Sequence, residues 1–241
     1  MPTLYRRLKR LIYNQYFWLL DYAYVLRAQL SNASSRSDAQ TYRNPDATGP
    51  SVILIPGIYE KWQFMEPVAR LLRHHSYDVH VVEGLGYNRQ SIEDMARAVS
   101  DYIDQAQLRE IVIIAHSKGG LIGKYLLMNA NTPGNIKGLI ALNTPFSGSL
   151  YAYLFLLFKS IRIFTPRSPI LTYLAHNRQV NTSIVSIYGR FDPHIPRGSR
   201  LEGAHNIKLE TYGHFRIVDD PLVHNAILDA LTYLDSTFRT T

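Results

Sequence analysis

Residues 111–120 read Ile-Val-Ile-Ile-Ala-His-Ser-Lys-Gly-Gly. Four consecutive β-branched aliphatics predict a strand buried on both faces, and the small-x-Ser-x-Gly that follows predicts a sharp turn into a helix. A backbone that reverses so tightly leaves no room for bulky side chains two residues before and after the serine, and Ala115 and Gly119 meet that demand. Ser117 then stands at the strand's C-terminal end as a candidate nucleophile. Lys118 opens the helix expected over 118–130, so its backbone N–H and the helix N-terminus point where an oxyanion would form. A serine hydroxyl is a weak nucleophile until a histidine takes its proton. The histidine in turn needs a carboxylate to fix its tautomer and stabilise its charged form.

The elements that must position such groups alternate along the chain. Strands are expected at 51–55, 78–83, 111–114, 136–142, 184–188 and 206–210, and helices at 62–74, 91–105, 118–130 and 221–234. Ser91 with Asp94 three residues on forms an approximate capping box for the second of these helices. The alternation implies a compact α/β fold: a mostly parallel sheet of about six strands with helices on both faces. With 241 residues, 46% of them hydrophobic, the chain can bury one sizeable core.

On the turn around Ser117 the chain resembles the α/β-hydrolase superfamily, and particularly its lipase/esterase-like branch, with Ala115 where the commoner pattern has Gly. The resemblance covers roughly 51–234 and implies the chain order Ser, acid, His. Asp192, which leaves the expected fifth strand just before Pro193, His194, Ile195 and Pro196, is similar to the family's acid. His214, in Gly213-His214-Phe215 after the last strand, is similar to its base. The second oxyanion donor is then a backbone N–H in the loop Pro56-Gly57-Ile58-Tyr59, Ile58 first and Tyr59 as second choice. The other histidines fit worse: His194 lies in the acid loop, His205 precedes its strand, His224 sits inside the closing helix and His116 reads as a packing residue. Tyr87 either lines the site or fills a loop.

An insertion over 146–180 falls where α/β-hydrolases carry their cap. It opens with Phe146 and continues through an uncharged aromatic run, 151–158, that includes Phe155 and Phe158. Two readings stand: a helix packed on the body, or a small lid over an apolar acyl pocket. Tyr59, Tyr87, Phe146, Phe155 and Phe158 are the candidate substrate contacts.

The net charge of +7 is uneven: residues 1–43 hold seven Arg or Lys against two Asp, which leaves 19 against 17 in the rest. Leu4, Leu8, Leu11, Trp18, Tyr22 and Leu26, interleaved with Arg6, Arg7, Lys9, Arg10 and Arg27, predict an amphipathic helix over 1–30. Its apolar run is interrupted by Asp21 and is too short to span a bilayer. The helix either lies in an anionic membrane interface through residues 4–28 or packs on the body over a sheet edge. Residues 31–50 read as a linker, and 51–236 as the hydrolase domain. With no cysteine and no ligand-spaced histidines, neither a metal nor another cofactor is expected. Nucleic-acid binding is not expected either, because the excess charge is confined to one aromatic-rich helix. The expected protein is a cytoplasmic or peripherally membrane-associated serine hydrolase of lipophilic small-molecule esters. The same residues would serve a thioesterase or acyltransferase, and a non-catalytic scaffold with a binding or membrane-adaptor role is the alternative of a different class.

Overall fold

Alternating side chains of the central strands build two separate cores. Ile53, Ile55, Ile111, Ile113 and Ala115 face one way, while Val52, Leu54, Val112 and Ile114 face the other, as the period of two in a strand requires. The computed structural model describes residues 2–34, 37–129 and 135–239, with side chains over 14–30, 37–129 and 135–237. The strands are β1 Ser51–Ile55, β2 Val79–Val81, β3 Ile111–His116, β4 Ile136–Leu142, β5 Ile184–Phe191 and β6 His205–Tyr212. The helices are α1 Pro2–Ser34, α2 Glu66–His74, α3 Ile92–Gln105, α4 Lys118–Asn129, α5 Lys159–Arg162, α6 Pro169–His176 and α7 Pro221–Arg239. One six-stranded sheet has the order β2-β1-β3-β4-β5-β6, and every neighbouring pair is parallel. Helices α3 and α4 cover one face; α2, α7 and part of α1 cover the other.

This order places the site. The chain leaves β1 outward to β2 and returns on the other side of β1 as β3, so the loops after β1 and β3 open a crevice at the strands' C-terminal ends. The register Ile55↔Ala115 sets the loop 56–59 directly beside the turn at Ser117.

Several boundaries differ from those the sequence predicts. The segment expected to be helical from 62 begins as a 3-10 turn, Trp62–Met65, and the α-helix starts at Glu66 with Pro67 in its first turn, where a missing N–H costs no intrahelical bond. Strands β5 and β6 run on past 188 and 210 to a pair Phe191↔Tyr212, beyond a register shift after Gly189. Ser91 caps α3 by accepting from the Asp94 N–H. Within 31–50, Ala39 and Tyr42 are buried; the Tyr42 hydroxyl donates to Glu66 at 2.7 Å and Arg43 pairs with Asp78 at 2.8 Å.

Of the Trp18, Tyr22 and Leu26 stripe on α1, Leu26 is the most exposed, while Tyr22, though part-exposed, reaches the His194 and Phe215 rings of the body. Tyr24, Val25 and Ala28 pack on the α2–α7 side, and Asp21 is fully buried. The side chains of Leu4, Leu8, Leu11, Arg6, Arg7, Lys9 and Arg10 lie outside the described residues. No described helix is long and apolar enough to cross a membrane.

Close approach at the β3–α4 turn depends on two glycines. A Cβ on Gly119 would lie 2.3 Å from the Ile55 carbonyl oxygen, and one on Gly120 1.9 Å from Thr144 Oγ1. The Gly119 obstacle is backbone and cannot rotate away. Gly119→Ala should therefore cost about 3 kcal/mol or more in urea unfolding. Gly84→Ala, with nothing within 4 Å of the new Cβ, should stay within about 0.5 kcal/mol of wild type. Equal stability of the two variants would contradict this account of the turn.

Candidate active site

Ser117 has φ +50°, a left-handed conformation that a non-glycine residue adopts only under restraint. Its N–H donates to the Leu142 carbonyl at 2.9 Å, which ties the turn to β4. The residue keeps 6% of its surface exposed. It also lines the cavity that opens into the crevice.

The loops after β5 and β6 bring the other two expected residues to it. His214 Nε2 lies 2.9 Å from Ser117 Oγ, and His214 Nδ1 lies 2.7 Å from Asp192 Oδ2. The second carboxylate oxygen of Asp192 accepts from the N–H groups of His194 and Ile195 at 2.7 and 3.0 Å, so the side chain is held at both ends. Burial of the His214 ring by itself lowers its pKa. The carboxylates of Asp192, Asp21 and Glu60 more than reverse that, and the net shift is upward. A hydroxyl, an imidazole and a carboxylate in series, largely shielded from water, can transfer the Ser117 proton to His214 as the oxygen attacks an electrophile.

A family model described as the alpha/beta hydrolase fold matches residues 50–163. Among solved structures, the mature lipase of Bacillus licheniformis superposes with a TM-score of 0.60 at 16% identity, over 78% of this chain and 94% of its own. The enol-lactonase of Burkholderia xenovorans does so with a TM-score of 0.55 at 16% identity, over 79% and 94%. A structure from work on carboxylesterases of the thaumarchaeon Nitrososphaera gargenis gives 0.58 at 12% identity, over 80% and 93%. No curated protein matches the sequence. The chain is an α/β-hydrolase-fold protein.

Within this fold the loop after β1 offers one N–H, not two. Tyr59 donates its own to the Tyr87 carbonyl at 2.8 Å, whereas the Ile58 N–H has no hydrogen-bond partner among the described residues. Lys118, as the first residue of α4, has no intrahelical acceptor for its N–H. Those two amides are the available pair. A cavity of about 450 Å³ opens over Ser117 and His214, and Tyr59, Phe155 and Phe158 line it. Tyr87 does not: its ring is exposed with the Lys61 ammonium 5.0 Å from its centre, and only its carbonyl serves the loop. Phe146 is buried in the core beneath α4 and α6 and touches a different cavity. Val25 and Gln29 of α1 line the main cavity, which periodicity along α1 did not indicate.

Other supporting residues carry no motif of their own. His116, expected as packing, bridges the two halves of the site: Nδ1 meets Glu60 Oε2 and Nε2 meets the His214 carbonyl, both at 2.9 Å, while Glu60 also accepts from the Gly57 N–H at 2.6 Å. Asn143 Nδ2 donates to the Gly213 carbonyl at 3.0 Å. The Lys118 side chain is fully buried and its ammonium donates to the carbonyls of Asn88 and Gln90; burial lowers its pKa to about 8. Asn88 in turn donates to the Pro56 carbonyl, so the loop 86–90 braces the loop that carries Ile58. His194 lies with its ring 4.9 Å from that of His214, and burial together with the neighbouring imidazole pushes its pKa down to about 4. His205 stacks on Tyr233 and His224 bonds the Val218 carbonyl, both away from Ser117.

Only neutral His214 can accept the Ser117 proton, and its pKa is raised above the ordinary 6.5. Reactivity of Ser117 toward an organophosphonate should therefore fall as pH drops, with a single midpoint above that value. His194, already neutral, should add no second step between pH 5 and 9. An acid limb centred below the ordinary imidazole value would contradict the assignment of His214 as base.

Proposed function

We propose that the protein is a serine hydrolase that cleaves lipophilic carboxylic esters through an acyl-enzyme. The observation that carries this reading is the continuous series Ser117 Oγ, His214, Asp192, with separations of 2.9 and 2.7 Å, at the floor of a cavity walled by Phe155, Phe158, Ile161 and Phe164. Ser117 Oγ attacks the ester carbonyl carbon and its proton passes to His214 Nε2, while Asp192 holds the Nδ1 proton in place. The oxygen's developing charge is met by the N–H groups of Lys118 and Ile58. The C–O bond then breaks, and the alcohol leaves with the proton that His214 returns. Water attacks the acyl-Ser117, gives its proton to His214, and the carboxylic acid departs as Ser117 regains a proton.

The residues 151–158 act in this proposal as a lid. Leu157 keeps 96% of its surface exposed and Leu154 76%, while Phe155 and Phe158, half-exposed, line the cavity from above. Leu19 and Leu26 of α1 are also exposed apolar side chains. These features support a peripheral encounter with a lipid surface, from which a long acyl or alkyl chain enters the cavity.

A fluorophosphonate probe should label the full chain at Ser117, and Ser117→Ala should abolish both labelling and hydrolysis of p-nitrophenyl esters. Each two-carbon extension of the acyl chain should raise kcat/KM by about an order of magnitude until the cavity is full, since a buried methylene contributes roughly 0.8 kcal/mol. Replacing Phe155 and Phe158 by serine should flatten that series, and the full chain should co-sediment with anionic vesicles, less so at high salt. A folded wild type that never labels would overturn the proposal. One that labels but prefers acetate would overturn its lipophilic part alone.

A further inference from the structure

We propose that α1 is a working part of the active site, and that Asp21 is a positioning residue which holds the His214 loop from outside the sheet. The inference rests on the serine-hydrolase reading above, and deepens it by naming what keeps the base in register. Asp21 Oδ2 accepts from the His214 N–H at 2.7 Å, and Oδ1 accepts from the N–H groups of Phe215 and Arg216 at 2.9 and 3.0 Å. These amides open the 3-10 turn Arg216–Asp219, where backbone donors have no partner of their own. A carboxylate from the far end of the chain satisfies all three, and every group facing it donates. Charge-assisted bonds of this kind are about twice as strong as neutral ones.

Gly213 is an independent sign that the loop is shaped around this side chain. It has φ +106°, and a Cβ placed on it would lie 2.5 Å from Asp21 Oδ1. The glycine before the base therefore leaves the room that the carboxylate fills. The same helix grips the rest of the site. The Tyr22 hydroxyl bonds His194 Nε2 at 3.2 Å in the acid loop, and Gln29 Nε2 donates to the Tyr59 carbonyl at 3.1 Å beside Ile58. Phe17 stacks on Tyr212 at the end of β6 with ring centres 4.5 Å apart. One helix thus touches the base, acid and oxyanion loops at once.

The charge of Asp21 reaches His214 as well as its bonds. The groups around the ring are Ser117, Asp192, His194 and His116, with Glu60 behind His116 and Asp21 behind the His214 backbone. Asp192, Asp21 and Glu60 stabilise the imidazolium that forms as Ser117 attacks, and burial opposes it. Burial raises the pKa of the Asp21 carboxyl, and the three backbone donors offset part of that rise. Removing the negative charge lowers the His214 pKa, so the acid limb must move to lower pH. A side chain that merely anchored the helix would change stability and leave that limb where it was.

The test compares the full-length wild type with Asp21→Asn, which keeps the shape and loses the charge, and Asp21→Glu, which keeps the charge. Asp21→Asn should lose about tenfold in kcat with KM within about twofold, and its acid limb should move down by about half a pH unit. Asp21→Glu should return the limb toward the wild-type position. A folded Asp21→Asn with wild-type kcat and an unmoved limb, in a protein whose Ser117 still takes the fluorophosphonate, overturns the role of Asp21 and leaves the serine-hydrolase reading standing. Wild type that does not label at Ser117 takes both down. Should Asp21→Asn fail to fold by near-UV circular dichroism, Gln29→Ala reads the helix through the Tyr59 carbonyl. A severalfold fall in kcat supports the working helix, and an unchanged kcat overturns it.

Discussion

His214 leaves the end of β6, the edge strand of the sheet, so a neighbour on one side only can fix its position. Most β6 side chains are exposed or half-buried, and Lys208 and Glu210 stand among them as charges that discourage edge-to-edge pairing. Such a strand cannot set the place of a ring to within a few tenths of an ångström by packing alone. Hydrogen bonds from elsewhere do it: Asp192 after β5, His116 at the end of β3, Asn143 after β4 and Asp21 on α1 all hold the ring or the backbone next to it. The buried interior of the sheet thereby governs a residue at its rim.

The same economy of contacts governs the other half of the site. Ser117 is held in a left-handed backbone by its bond to Leu142 and by two glycines that let α4 press against the neighbouring strand ends. Lys118 serves twice, with its N–H at the crevice and its ammonium under the loop 86–90. Burying that ammonium is costly unless it is bonded, and the carbonyls of Asn88 and Gln90 meet the requirement. Glu60 and His116 then join the loop after β1 to the loop after β6. A shift in either loop would strain buried polar bonds in both.

Much of this was legible in the amino-acid sequence because it is local. The β-branched run of β3 and the small residues around Ser117 follow from spacing along the chain, and Asp192 and His214 from the resemblance to the α/β-hydrolase superfamily. What was not legible depends on contacts far apart in it. Asp21 read only as a break in an apolar run, since nothing near it in sequence supplies the three amides of residues 214–216. Tyr87 and Phe146 stand in loops that the sequence places near the site, yet loop position does not say which way a ring points: one lies in solvent under Lys61 and the other in the core. The sequence pattern ends β5 and β6 too early because Gly189 and the exposed Arg190 interrupt the apolar run before the final pair Phe191↔Tyr212, which lies beyond a register shift.

If Ser117 and His214 act as one unit, their losses cannot multiply. The most direct measurement is kcat for a p-nitrophenyl ester in Ser117→Ala, His214→Ala and the double variant, each shown to be folded. The account predicts that the double variant is no slower than Ser117→Ala alone, because the base has nothing left to activate once the hydroxyl is gone. A double variant slower than either single one by the product of their separate losses would contradict it.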